Sequence, residues 1–141
     1  CNEGEVRMRS QRDLIEAAVN ERVWAVVGAS EDTRKFGNRI YRNMKRAGYE
    51  VYGVNPNASS VDGDPVYPTL GDLPVKPAVV DIVVPSWVGR RIADDAARAG
   101  IDIFWLQPGA ESVELITYAE SLGLGVIHHA CAMVEKRIWR V

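Results

Sequence analysis

The chain lacks the features that would assign it to several large classes of protein. Two of its 141 residues are cysteine, Cys1 and Cys131, so no disulfide framework is indicated and a reducing cytoplasm is the expected compartment. No apolar run approaches the roughly 20 residues that span a bilayer, and no signal-peptide pattern leads the sequence. The net charge of −2 gives no support for a nucleic-acid or anionic-membrane partner. We therefore expect a monomer or small homo-oligomer with a small-molecule ligand.

Two common nucleotide-binding patterns are also missing. The chain has no Gly-rich loop that ends in Gly-Lys-Ser/Thr, which disfavours P-loop chemistry. The dinucleotide pattern G-x-G-x-x-G is incomplete because Ser30 stands where its second glycine would be. The carboxylate that holds the ribose of NAD is expected about 20 residues later, but the residues there are Val54, Asn55 and Pro56. NAD is therefore disfavoured as the ligand.

The composition is that of one ordinary globular domain. Hydrophobic residues make up 47% of the chain and charged residues 26%. Residues 1–9 show no periodicity, so we expect them to be a disordered segment or an extension. Residues 10–141 are expected to form a single domain, since that length supports one buried core.

The stretch from Val23 to Gly37 is the most informative part of the chain. The apolar run Val23–Val27 stops at Gly28-Ala29-Ser30, a polar loop with Arg34 and Lys35 follows, and Gly37 opens an amphipathic helix. Backbone N–H groups and the helix dipole favour an anion at such a helix start, and two cations lie nearby. The pattern predicts a phosphate site, although a tight turn that binds nothing would look similar. A basic loop with a neutral strand end suits a phosphate-rich nucleotide such as coenzyme A.

Apolar runs alternate with helical periodicity along the rest of the chain. The predicted strands are Val23–Val27, Glu50–Val54, Val79–Val84, Asp102–Leu106 and Gly125–His128. Helices are predicted at Gln11–Val19, after Gly37, after an N-cap at Ser86, and over about Glu111–Leu122. This alternation predicts an α/β fold, a three-layer doubly wound parallel sheet of about five strands with Rossmann-like topology. Gly28, Asn55, Pro85 and Gln107 follow predicted strands and should meet at the carboxyl edge, where such sheets bind ligands.

Five sequence blocks carry a family resemblance. They are Val26-Val27-Gly28-Ala29-Ser30 with Lys35-x-Gly37, the stretch Gly48 to Pro56, Val80-Asp81-Ile82-Val83-Val84-Pro85, Trp105 to Glu111, and Gly125 to Glu135. With these blocks in this order, the chain resembles the small stand-alone CoA-binding proteins. Their fold is that of the N-terminal CoA-binding domain of the succinyl-CoA synthetase α subunit. The resemblance covers about residues 23–135.

The resemblance implies that CoA or an acyl-CoA binds across the strand ends. The turn Gly28, Ala29, Ser30 and the helix start at Gly37 would hold the pyrophosphate, with Arg34 and Lys35 facing its oxygens. Asn55 and Pro56 would border the adenosine, and Val84, Pro85 and Ser86 the pantetheine or adenine path, with Gln107 at the same edge. Many of these proteins carry lysine after the Asn-Pro pair, where it can reach a CoA phosphate, whereas this chain has Asn57.

Two further groups of residues suggest other chemistry. His128, His129 and Cys131 are metal-ligand types, but zinc needs more ligands, and on a strand the two histidines would point to opposite faces. Cys131 paired with His129 would suit a nucleophile, but its apolar neighbours favour a buried, inert thiol. We therefore assign no catalytic or metal-binding residue and expect a non-catalytic or regulatory binding protein. An enzyme acting on a CoA thioester or nucleotide, with Cys131, His129 or Gln107 taking part, and an NAD(H)-sensing module are the alternatives.

Overall fold

The computed structural model describes residues 10–139, so the predicted extension at residues 1–9 lies outside the described part of the chain. The helices are α1 (Gln11–Val19), α2 (Phe36–Arg46), α3 (Ser86–Arg98), α4 (Val113–Ser121) and α5 (Ala132–Glu135), with a 3-10 turn at Leu70–Asp72. The strands are β1 (Val23–Val27), β2 (Glu50–Val54), β3 (Ser60–Val61), β4 (Asp64–Tyr67), β5 (Val79–Ile82), β6 (Ile103–Leu106) and β7 (Gly125–Ile127).

The strands form one sheet in the order β3-β4-β2-β1-β5-β6-β7. All neighbouring pairs are parallel except β3 and β4. The predicted doubly wound α/β fold is confirmed, and residues 10–139 contain seven strands where about five were expected. The two additional strands lie in the segment after Asn55, where frequent Pro, Gly, Asp and Ser residues hide their short apolar pattern.

A hydrophobic core lies on each face of the sheet. On β1, Trp24 and Val26 face α1, α2 and α5, whereas Ala25 and Val27 face α3 and α4. All four side chains are buried, as expected for a strand covered by helices on both sides. Burial on both faces of the sheet therefore explains why β1 is a continuous apolar run.

The third long helix differs most from its prediction. Pro85, not Ser86, is the N-cap residue of α3, and no side chain caps this helix start. The prediction of Ser86 as N-cap is therefore wrong: Ser86 is the first helical residue, because Pro85 already has the extended backbone of a cap (φ −57°, ψ 152°). Within α3, Ala93 and Ala96 face the core, whereas Ala99, which follows the helix, is exposed.

The order of the strands determines where a ligand would bind. From β1 the chain continues to β2 on one side and later to β5 on the other, so the winding reverses at β1. The carboxyl ends of β1, β2 and β5 are neighbours at this reversal, which is where open α/β sheets bind ligands. Among residues 10–139, none of the helices has the length and apolar character needed to span a membrane.

Candidate functional site

The turn after β1 depends on two glycines. Gly28 has a φ of +106°, and a Cβ added to it would lie 2.5 Å from Cγ2 of Val83. A Cβ added to Gly37 would overlap the carbonyl oxygen of Gly28. The backbone N–H of Gly28 also donates to the carbonyl of Val54 on β2 at 2.8 Å. The turn therefore lies tightly between the strand ends and the first turn of α2, and side chains at either glycine would displace it.

Two asparagine side chains hold the loop that follows Gly28. Asn38 on α2 is 2% exposed, and its Nδ2 donates to the carbonyl of Ser30 at 2.9 Å. Asn55 at the end of β2 donates from Nδ2 to the carbonyl of Ala29, also at 2.9 Å. These bonds fix the backbone of residues 28–30 across the ends of β1 and β2. Asn38 was not predicted as a site residue, and only its position one residue after Gly37 pointed to it.

The start of α2 has the electrostatic character expected of an anion site. Lys35 occupies the N-cap position without a side-chain capping bond, and the first turn contains no acidic residue. The Lys35 side chain is exposed beside this helix start. The N–H of Asn38 donates to the Lys35 carbonyl at 3.2 Å, but no side chain caps the first turn, so the N–H groups of Phe36 and Gly37 and the positive end of the dipole remain open to an anion.

Arg34 is placed differently from Lys35. Its guanidinium donates to the Asp32 carboxylate from Nε at 3.0 Å and from Nη2 at 3.1 Å, while the side chain stays 89% exposed. These hydrogen bonds from Arg34 lower the pKa of Asp32. Glu31, the next carboxylate, is hydrogen-bonded to Ser60 on β3. To contact a phosphate as predicted, Arg34 would have to give up Asp32, whereas Lys35 forms no salt bridge within residues 10–139.

A crevice of about 180 Å³, here called the strand-end crevice, lies beside the Gly28 turn. Gly28, Asn55, Pro56 and Val84 line it, so four predicted site residues meet in one place. Its other lining residues are Val27, Val54, Pro68, Thr69, Val88, Arg91, Ile92 and Asp95. Four of them, Val88, Arg91, Ile92 and Asp95, belong to α3. Their spacing of three and four positions places them on one face of the helix, and the sequence could have indicated this face by that spacing.

Pro85 and Ser86 lie between this crevice and a second one. Ser86 lines a cleft of about 340 Å³ between α3 and α4, here called the α3–α4 cleft, together with Trp87, Arg90, Ser112, Glu114, Leu115 and Tyr118. Trp87 is 81% exposed at the rim of this cleft. The guanidinium of Arg90 stacks 3.9 Å from the centre of the Tyr118 ring. Val84 lines the strand-end crevice and Ser86 lines the α3–α4 cleft, so the segment predicted to border pantetheine connects the two.

Gln107 is not among the residues that line the strand-end crevice. It is 1% exposed, and its Oε1 accepts from the backbone N–H of Ala132 at 2.9 Å. Its Nε2 lies 3.4 Å from the sulfur of Cys131, which is a free, partly buried thiol. The predicted site residue Gln107 thus anchors the chain after β7 to the end of β6.

The two histidines also differ from their prediction. Strand β7 ends at Ile127, and His129 has a φ of +60°, so the chain turns instead of continuing as a strand. The Nδ1 atoms of His128 and His129 lie 2.6 Å apart, and the expectation of opposite directions is therefore wrong. Within residues 10–139, no group of three or more His, Cys, Asp or Glu side chains is placed to hold a metal ion.

Asp81 is a buried acid that the prediction did not single out. It lies in the middle of β5, is fully buried, and neither carboxylate oxygen has a hydrogen-bond partner within the described residues. Burial raises its pKa well above the usual value for aspartate. Its position in the otherwise apolar run Val79–Val84 was the signal in the sequence. The neutral acid is the more stable form there.

Comparisons with known proteins identify the family of the chain. The family model described as "CoA binding domain" matches residues 22–137. An ADP-forming acetate–CoA ligase I of Archaeoglobus fulgidus is 28% identical over 120 residues, which are 78% of this chain but 18% of the ligase. The protein YneT of Bacillus subtilis is 24% identical over 129 residues, with 92% of this chain and 96% of YneT covered.

The fold is found in a solved structure of similar size. A hypothetical protein from Pyrococcus horikoshii OT3 superposes with a TM-score of 0.83 at 28% identity, and 92% of each chain is covered. The chain spans less than a fifth of the ligase from A. fulgidus but nearly all of YneT and of the P. horikoshii protein. Because the family model covers most of its length, the chain belongs to the CoA-binding domain family.

Proposed function

We propose that this domain binds coenzyme A or an acyl-CoA at the carboxyl edge of its sheet and acts as a non-catalytic or regulatory binding protein. The observation that carries the proposal is the meeting of two features at the Gly28 turn. One is the start of α2 without a side-chain cap, beside Lys35. The other is the strand-end crevice, which Gly28 itself lines.

These two features suit different parts of the ligand. The N–H groups at the start of α2 and the Lys35 ammonium suit the pyrophosphate, since both favour anions. The crevice walls include Val54, Val84 and Ile92, and such apolar surfaces suit a flat adenine ring. The exposed rim at Pro85 and Ser86 then offers a path for pantetheine.

The non-catalytic part of the proposal has separate support. The amide of Gln107, a candidate for taking part in thioester chemistry, is already used to hold Ala132 and contact Cys131. The chain also corresponds to a small part of the A. fulgidus ligase, so the ligase reaction is not carried over with the similarity. An enzyme acting on CoA thioesters is the competing function.

The test compares CoA, acetyl-CoA and NAD as ligands of the purified protein. A ligand at one hundred times its dissociation constant stabilises the folded state by about 2.7 kcal/mol, so CoA should raise the melting temperature more than NAD. Equal shifts with both ligands, or no shift with CoA, would contradict the assignment. Acetyl-CoA is then incubated with the protein and followed by mass spectrometry. Intact acetyl-CoA and unmodified protein support a binding role, whereas hydrolysis or acetylation of Cys131 supports the enzyme.

A further inference from the structure

The strand-end crevice contains one positive charge. Of its twelve lining residues, all within the described part of the chain, Arg91 is the one cation and Asp95 the one anion. The other ten are uncharged, and most have apolar side chains. Because the crevice surface is mostly apolar, Arg91 is the one charged group in it that could attract a bound anion.

The neighbouring charges leave the Arg91 guanidinium available. Asp95 lies near Arg98, with 3.7 Å between Oδ1 and Nη1. No salt bridge joins Arg91 to a carboxylate within residues 10–139. Arg90, the preceding residue on α3, faces the α3–α4 cleft and stacks on Tyr118. The two adjacent arginines therefore serve different surfaces, and Arg91 alone faces the crevice.

The part of the crevice at the end of β2 offers no cation. It is formed by Asn55 and Pro56 at the end of β2, and the next residue is the uncharged Asn57. The backbone N–H of Asn57 is used within the loop, where it donates to Oδ1 of Asn55 at 2.9 Å. A negatively charged group on a ribose held between these walls would therefore find its positive partner on α3.

We propose that Arg91 binds the 3′-phosphate of coenzyme A and makes the crevice selective for adenosine that carries this phosphate. The inference rests on the proposed CoA-binding function, and it assigns the selectivity to a residue of α3 instead of the loop after β2. A guanidinium can hold a phosphate through two parallel N–H···O bonds, which a lysine ammonium cannot reproduce. Ligands with a free 3′-hydroxyl, such as dephospho-CoA, lack this interaction.

The experiment measures binding of CoA and dephospho-CoA by calorimetry to the unaltered protein, Arg91→Gln, Arg91→Lys and the matched control Arg90→Gln. Charge-assisted hydrogen bonds are strong enough that Arg91→Gln should weaken CoA binding about tenfold or more. Its affinity for dephospho-CoA should be nearly unchanged. Arg91→Lys should keep part of the preference for CoA, and Arg90→Gln, whose side chain lines the α3–α4 cleft, should keep the ratio of CoA to dephospho-CoA affinity of the unaltered protein.

The possible failures are distinguishable. If the unaltered protein does not bind CoA, both the proposed function and this inference are wrong. If it binds CoA but Arg91→Gln leaves the affinity unchanged, only the role of Arg91 is wrong. An equal loss for both ligands would show that Arg91 contacts a part they share, and would also overturn the inference. Loss of the preference for CoA in Arg90→Gln would place the phosphate in the α3–α4 cleft.

Discussion

Gly37 lies so close to Gly28 that a Cβ atom added to Gly37 would overlap the Gly28 carbonyl oxygen. The first turn of α2 is thus in direct contact with the turn that ends β1. This contact places the open N–H groups of the helix beside the strand-end crevice. The close packing of the two turns therefore requires glycine at position 37 whether or not a ligand binds.

The first prediction follows from this contact. Gly37→Ala should destabilise the fold by about 1–3 kcal/mol or more, because the new methyl group meets backbone that cannot rotate away. Urea denaturation measures the loss. The control is Gly71→Ala, where the nearest atom to the new Cβ is 3.7 Å away. Gly28→Val should also disrupt the turn, because the new side chain would clash with Val83. Loss of CoA binding in this variant would therefore not distinguish a packing effect from a binding effect. Unchanged stability in Gly37→Ala would contradict the close contact.

The second prediction concerns Lys35. Lys35→Ala should weaken CoA binding about tenfold or more, since a charge-assisted hydrogen bond contributes roughly 1.5–3 kcal/mol. Stability should change little because the side chain is exposed. Isothermal titration calorimetry gives the affinity, and Arg46→Ala, an exposed cation in the last turn of the same helix, serves as the control. Equal affinities for the unaltered protein and Lys35→Ala would remove Lys35 from the phosphate site.

The third prediction concerns the pH dependence of stability at Asp81. Its pKa is raised in the folded state, so the folded protein keeps the proton while the unfolded chain loses it above about pH 4. The free energy of unfolding therefore falls as pH rises through this range toward the folded-state pKa. Asp81→Asn removes the titration and should be more stable than the unaltered protein by more than about 1 kcal/mol at pH 8.

Urea denaturation of both proteins at pH 4 and pH 8 checks this dependence. The difference between them should be smaller at pH 4, where Asp81 keeps its proton in the folded state and is still about half protonated in the unfolded chain. The exposed Asp102→Asn is the control and should change stability little at either pH. A gain from Asp81→Asn that is the same at pH 4 and pH 8 would rule out titration as its cause.

The fourth prediction is that Cys131 is not a catalytic thiol. Its sulfur lies beside the buried Gln107 amide, and the residue is partly buried. Cys131→Ser should leave CoA affinity nearly unchanged, and iodoacetamide should label the native protein much more slowly than the urea-unfolded protein. Mass spectrometry of the labelled peptide measures the rate. Fast native labelling at pH 7 that CoA suppresses would instead support an enzyme or a redox sensor.

Much of the fold was predictable because it depends on local patterns. The bounds of Gln11–Val19, Val23–Val27 and Glu50–Val54 agree with the structure, since an amphipathic face or a continuous apolar run marks each of them. The short strands β3 and β4 were missed because pairing, not composition, makes them strands. Ser60 of β3 pairs with Pro65 of β4, and Val66 of β4 pairs with Gly53 of β2.

Part of the candidate site was also predictable, because local sequence patterns mark where strands end. Local apolar periodicity was enough to predict that Gly28 and Asn55 directly follow the first two strands, whereas the strand predicted over Val79–Val84 ends at Ile82. By contrast, the bond between Gln107 and Ala132, the ion pair of Arg34 with Asp32 and the position of Arg91 at the crevice follow from tertiary packing. Such choices depend on which atoms come within hydrogen-bond or packing distance after the helices dock, and no local pattern encodes that.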